Sequence, residues 1–369
     1  MNKYVRRYLV DAMSGMAQGL FASLLIGTII KTLGQQLVRL SDNVFFNFLV
    51  DAGNFASESH VVGAAMAVGI AIAMGLPALV TFSLVAVGAA ANVTGGAGGP
   101  LSVLIIVIAA GELGRLVSKK TKVDIIVTPA VTILSGALFT VLTAKWIGLA
   151  ASSLGNIIVW STKLQPFWMG MLVSVLVGVA LTLPISSAAI CAAFGLTGLA
   201  GGAAVAGCCA QMVGFAVLSF RENRGSGLLS QGLGTSMLQM PNIIKNPKIW
   251  IPPTLASAIT GPLSTCLFKM EMNGAAVSSG MGTCGLVGQI GIITGWFEPS
   301  QVALGHGALA ISPSFWDWAG LVLICFILPA LLSWAFGLVL RKIGWIKEGD
   351  LLLEGNSNVA DNPSVKLVR

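Results

Sequence analysis

Charge is scarce in this chain: Asp, Glu, Lys and Arg make up 9% of 369 residues, and His60 and His306 are its only histidines. Soluble domains carry about 25% charged residues, so a chain with 55% apolar residues and mean hydropathy +0.88 cannot cover itself with a hydrated surface. Its six cysteines, Cys191, Cys208, Cys209, Cys266, Cys284 and Cys325, contain no CxxC pair and all lie in apolar runs. That excludes a zinc ribbon or dithiol redox motif and leaves small buried thiols as the expectation. HExxH is missing, no Ser, His and Asp set can be assembled, and neither glycine-rich stretch ends in Lys-Ser/Thr. Hydrolytic triads, zinc peptidase chemistry and nucleotide binding are therefore excluded, and no catalytic residue, metal ligand or cofactor is assigned. The net charge of +7 comes from short basic clusters between apolar runs. Membrane topology accounts for this pattern better than nucleic acid, which is not expected as a partner.

The chain does have long apolar runs, at 9–38, 61–91, 100–117, 123–145, 166–190, 203–219, 249–268, 276–297, 301–312 and 318–340. Most approach or exceed the roughly 20 residues that span a bilayer as a helix. The predicted fold is an all-α polytopic membrane protein with about ten hydrophobic elements, internal repeats and Gly-rich broken or re-entrant helices. The first run follows Lys3, Arg6 and Arg7, contains Asp11 and continues to Leu37 with no cleavage site, as an uncleaved first span would. Run 61–91 carries Pro77 and is too long for one untilted span, whereas 301–312 is too short to cross, so kinks and re-entrant hairpins are expected.

One element is written twice. Val93-Thr94-Gly95-Gly96-Ala97-Gly98-Gly99 returns as Leu196-Thr197-Gly198-Leu199-Ala200-Gly201-Gly202. Upstream, Gly63 precedes Pro77 by fourteen residues and Gly170 precedes Pro184 by fourteen. Downstream, Lys119 to Val123 matches Lys245 to Ile249, and Thr128 falls where Thr254 falls. The expected organisation is one transmembrane domain over 1–346, with repeat one at 9–122, repeat two at 123–248 and C-terminal helices at 249–346. A polar, disordered cytoplasmic tail is expected over 347–369. The second copy is longer between its glycines and lysines, which makes Phe220 to Asn246 an insertion.

Basic clusters at 3–7, 115–122, 221–224, 245–248 and 341–347 are placed in the cytoplasm with the N-terminus. Residues 40–60, with Asp42, Asp51 and Glu58 against Arg39, are placed outside. Both copies then end on one side, favouring like-oriented repeats. Segment 92–114 has to start and end inside, with a re-entrant turn at Gly95–Gly99.

Broken helices free backbone groups that lipid cannot satisfy, and transporters place substrate sites at such breaks. Asn92 and Gln211 lie beside the repeated elements, and Thr94 and Thr197 occupy equivalent positions within them. They are candidate solute contacts, with the alternative that the threonines only satisfy freed carbonyls. Gln231, with Thr235, Ser236, Gln239 and Asn242, offers uncharged hydrogen-bonding groups suited to a neutral polyhydroxy ligand, or to a cytoplasmic loop rich in turns. Glu271, with Asn273, follows an apolar run and is functional at membrane depth but an ordinary helix end at the rim. Gln289 lies in Ser278 to Gly291, where five glycines point to a hairpin tip, and His306 is a candidate contact or an interfacial hydrogen-bonding histidine. Glu112 and Arg115 read as a local helical pair, and the tryptophans as an interfacial belt.

From Ser230 the chain reads SQGLGTSMLQMPNIIKNPKIWIPPTLASAITGPLSTCLFKMEMNGAAVSSGMGTCGLVGQIG. This stretch, and more loosely almost the whole chain, resembles the EIIC-like membrane proteins of the bacterial phosphoenolpyruvate-dependent sugar phosphotransferase system, in the branch that includes perfringolysin O regulator-like proteins. The resemblance implies an inner-membrane sugar permease working by alternating access, a lipid bilayer around it and separate cytoplasmic EIIA/EIIB-type subunits. A phosphotransfer subunit needs a soluble domain with a phospho-accepting Cys or His, and this chain offers none, so it is not expected to be an enzyme. Nor does any motif match the His and Glu pair of glucose-type permeases. A homodimer is expected. A membrane-bound sensor or regulator that signals through Phe220 to Asn246 is the alternative, and an ion channel, with only Glu271 and Glu112 to line a pore, comes third.

Overall fold

A computed structural model describes residue 4 and residues 6–41 and 43–353. Lys3, Asp42 and the last part of the expected tail, 354–369, lie outside the described residues. The chain is an all-α membrane protein: among the described residues five helical stretches are long and apolar enough to cross a bilayer, and a bent pair makes up to six, with 78–117 counted once although it folds back at Gly96.

Helix α1 (Arg6–Leu40) is paired along its length with α2 (Val44–Ser57) and α3 (Ser59–Ala73), which are bent by 54° at Glu58. Glycines set this pairing. A Cβ on Gly15 or Gly69 would run into the other's carbonyl, Gly19 faces the backbone of Ala65, and Gly27 faces Gly53. Lipid gives no hydrophobic drive for helix association, so small residues that let backbones approach supply dispersion contact instead.

The apolar run 61–91 is not one kinked span. It reverses at Gly75 (φ +63°) and Pro77, and α4 (Ala78–Gly95) returns along α3, with Gly88 on Gly63 and Asn92 beside Ser59. The chain reverses again at Gly96 (φ +52°) into α5 (Gly99–Val117), where Gly99 meets Asn92, Gly111 meets Leu84 and Gly114 meets Val80. The turn expected at Gly95–Gly99 is therefore present. The reversal at Gly75–Pro77 makes two antiparallel helices of the run that was expected only to kink. Helix α6 (Asp124–Thr162) then runs back past α5 and exposes Ile125, Leu134, Val141 and Trp146, an apolar outer face suited to lipid.

In the second half, α7 (Pro166–Thr182) runs parallel to α9 (Gly198–Leu218), Gly178 resting on Gly207 and Thr182 beside Gln211. Between them the chain breaks at 183–186 and adds only the short α8 (Ser187–Ala193). Helix α9 is the most enclosed of the spans. It packs on α7, and Gln211 reaches Thr254 on α12 (Ile251–Pro262). The insertion is folded into α10 (Phe220–Leu229), a turn and α11 (Met240–Lys245). After α12 the chain is extended near Met272, whose backbone pairs with Gly198 in an isolated bridge. It then enters α13 (Val287–Phe297) and, after a single turn at Gln301–Gly305, α14 (Phe315–Lys342).

The expected disordered tail begins with a bound segment instead: Leu351 is fully buried, and the backbone of 351–353 is hydrogen bonded to Asn223, Gln239 and Asn242. Composition alone marks 347–353 as solvated because the partners that hold it are far away in the chain.

The glycine seam has a testable consequence. Gly69→Leu should cost roughly 1–3 kcal/mol by overpacking and lower the thermal midpoint of tryptophan fluorescence in detergent. Gly305→Ala, whose Cβ would meet nothing within 4 Å, should leave that midpoint unchanged.

Candidate functional site

The two glycine breaks are joined by a backbone hydrogen bond: the Ser186 N–H, in the second break, donates to the Ala97 carbonyl, in the first, at 2.8 Å. Beside that junction lies a cavity of about 360 Å³, walled by α1, both breaks, the turn after α10 and the segment at Met281 and Cys284. Its walls come from both halves of the chain. Among the described residues no Asp, Glu, Lys, Arg or His lines it.

The polar groups in the wall are few. Asn92 Nδ2 donates to the Ser59 carbonyl (2.8 Å) and to Ser59 Oγ (3.1 Å), which fixes the amide and leaves its Oδ1 as an acceptor. Ser186 Oγ caps α8 by accepting from Ala189 N–H (3.1 Å), and its own proton stays available. Ser187 donates to the Gly280 carbonyl (2.7 Å) and keeps its lone pairs. Thr235 accepts from Met237 N–H (3.2 Å) and keeps its hydroxyl proton. Around them the wall is aliphatic, with Leu20, Leu24, Val62 and Ile185. Fixed neutral donors and acceptors on an apolar wall suit a ligand that carries hydroxyls on a carbon frame. An ion would find no opposite charge there to replace its water.

Of the residues singled out from sequence, Asn92 and Thr235 line this cavity, whereas Thr94, Thr197, Gln211, Gln231, Glu271, Asn273, Gln289 and His306 do not. Thr94 is exposed on the last turn of α4. Gln211 is sealed among helices: Trp250 Nε1 (2.9 Å) and Thr182 Oγ1 (3.3 Å) donate to its Oε1, and its Nε2 donates to Thr254 Oγ1 (3.3 Å). Gln231 is equally buried, donating to Ser219 Oγ (2.8 Å) and the Gly227 carbonyl (3.0 Å). Gln289 donates to Cys209 Sγ (3.1 Å), and its buried Oε1 has no partner. Thr197 and His306 form a separate pair, Oγ1 to Nδ1 at 3.0 Å. Asn273 Nδ2 donates to Glu271 Oε2 (2.9 Å) beside a small hollow of about 60 Å³ that also holds Lys269 and Asp317. The equivalent threonines thus belong to different places, because Gly96 carries the positive φ in one copy and Gly198 in the other.

Sequence reasoning passed over Ser59, Ser186 and Ser187. The available signal was the serine pair just after Pro184, a helix N-cap position within a break. Glu112 pairs with Arg115 as expected but also with Arg7 of α1 (3.1 Å), so the local pair is half of an interhelical clamp. No three His, Cys, Asp or Glu side chains converge among the described residues.

The family described as Phosphotransferase system, EIIC matches residues 10–353. The chain belongs to that family. No curated protein and no solved structure matches it. As an EIIC protein, it is a membrane transport component of the phosphotransferase system, in keeping with its long apolar helices.

The placement of Gln211 can be tested. Gln211→Leu strands the Trp250 indole N–H and should cost about 1–3 kcal/mol of stability. A lowered thermal midpoint with unchanged solute affinity in the folded protein is the expected pair of readings.

Proposed function

We propose that this EIIC protein carries a neutral sugar through the cavity between its two glycine breaks, by alternating access of one half against the other. The observation that carries this reading is the cavity wall: Asn92, Ser59, Ser186, Ser187 and Thr235 among aliphatic side chains, with no charge. Because the wall is drawn from both halves, a shift of one against the other would change which side the cavity faces. The duplicated landmarks, and a helix pair running parallel in the second half as α3 and α5 do in the first, support two like-oriented repeats as the moving parts. The N-terminus and the basic clusters face the cytoplasm, where separate EIIB-type subunits would phosphorylate the cargo, and the protein works as a homodimer. Thr197, His306, Glu271 and Asn273 would line an outer approach to the cavity rather than the cavity itself.

The regulator reading has one observation in its favour, the tying together of the insertion by the side-chain bonds from Asn242 through Gln239 and Gln231 to Ser219. A regulator of that kind would bind partners through this unit and give no flux.

The experiment is thermal stabilisation of the purified protein by neutral hexoses, disaccharides and hexitols, with citrate and sodium chloride as ionic comparisons, followed by flux in proteoliposomes. A neutral sugar should raise the thermal midpoint by mass action. Asn92→Ala should weaken that ligand about tenfold, the loss of one to two neutral hydrogen bonds, and reduce flux in step. Stabilisation by an ion and by no sugar would rule the reading out.

A further inference from the structure

After α14 the chain is held by side-chain amides rather than by another helix. Asp350 closes a turn by accepting from the Lys347 backbone N–H (2.8 Å) and from Asn246 Nδ2 (2.8 Å). The next residues lie across the insertion. Asn223 Nδ2 (2.7 Å) and Gln239 Nε2 (3.0 Å) donate to the Leu351 carbonyl, and Asn242 Nδ2 donates to the Leu352 carbonyl (3.0 Å). The Leu353 N–H donates to Asn223 Oδ1 (2.9 Å), and the Leu351 side chain is completely buried.

Two of the receiving amides, Gln239 and Asn242, belong to one hydrogen-bonded chain. Asn242 Nδ2 donates to Gln239 Oε1 (2.8 Å), Gln239 Nε2 to Gln231 Oε1 (2.9 Å), and Gln231 Nε2 to Ser219 Oγ (2.8 Å). Primary amides that pair with a neighbour's main chain read backbone rather than side-chain identity, as in peptide recognition. The same short stretch, Ser230 to Gln239, is also cavity wall: Gly234, Thr235 and Met237 line the cavity, and the Thr283 hydroxyl beside Cys284 donates to the Gly232 carbonyl. That stretch therefore meets the cavity at Gly234, Thr235 and Met237, and at its end Gln239 holds the Leu351 carbonyl, flanked by Asn223 and Asn242 on either side of it in the chain.

We propose that residues 347–353 are a releasable latch on the cavity wall. Docked, they hold the Ser230–Gln239 stretch in place; released, they free it to move, and the cavity opens toward the side on which the latch lies. Four neutral hydrogen bonds, the Asn246–Asp350 bond and one buried leucine make a contact that local opening can break and remake. The proposal deepens the reading of the cavity as the solute site by assigning control of access to it.

Cys284, buried in the cavity wall, is a native reporter. The full-length protein in sealed vesicles is exposed to a membrane-impermeant maleimide from one face at a time. Peptide mass spectrometry follows Cys284 separately from Cys266, which is exposed. Two disrupting variants are used, Leu351→Asp and a deletion from Lys347 onward, with Leu351→Ile as control. Both disrupting variants should raise Cys284 labelling about tenfold from the latch side only, a shift in open population of one decade, while the control stays at the starting rate. An unchanged rate in both variants, or an equal rise from both faces, would overturn the latch. The sugar that best stabilises the intact protein should slow Cys284 labelling. If it gives no protection while the latch effect persists, the solute reading fails alone; protection without a latch effect removes the latch alone.

Discussion

Inside a bilayer no water is present to pair with a freed backbone group, so every departure from helix must be closed by the protein itself. That constraint organises this molecule. The first break closes on the second through Ser186 and Ala97, and the start of α9 closes on the extended chain after α12 by a reciprocal pair of bonds between Gly198 and Met272, both 3.0 Å. Each closure needs segments from distant parts of the sequence. The breaks can exist only as a set, and the cavity is what their assembly encloses.

The same constraint explains why polar residues are poor guides to the site. Most hydroxyls in the helices are occupied within their own turn: Ser23 bonds the Gly19 carbonyl, Ser83 that of Leu79, Thr132 that of Thr128 and Thr140 that of Gly136. Long amides such as Gln211 and Gln231 are filled by other side chains and glue helices or turns together. A solute can use only the polar groups left over, and the cavity wall holds a handful. Among them Asn92 is pinned by Ser59 through its Nδ2, and its Oδ1 lies against Gly99.

Legibility varied with the range of the deciding interaction. Helical content, lipid-facing runs and the turn at Gly95–Gly99 follow from local composition, since a glycine cluster cannot continue a helix across such a run. The reversal at Gly75–Pro77 was hidden because proline also kinks a helix without turning it back, and only the seat of Gly88 on Gly63 separates the two outcomes. The repeated motif misled in one respect: identical letters at Thr94 and Thr197 take different backbone conformations, since the left-handed residue is Gly96 in one copy and Gly198 in the other. The bound segment at 351–353 was overlooked because its three leucines stand among the polar residues on either side, and only the placement of Asn223, Gln239 and Asn242 beside them shows what holds their backbone.

By itself the sequence determined the solvent of this protein, its helical class, the sites where helices must stop and, through its length of resemblance, its family. Those properties depend on hydropathy and backbone freedom, which are local. Which breaks meet, which amides are spent on packing, and that Ser59, Ser186 and Ser187 share a cavity with Asn92 were decided only by tertiary structure. Those outcomes depend on pairing groups far apart in the chain, and in lipid each pairing is forced by the cost of leaving a polar group alone.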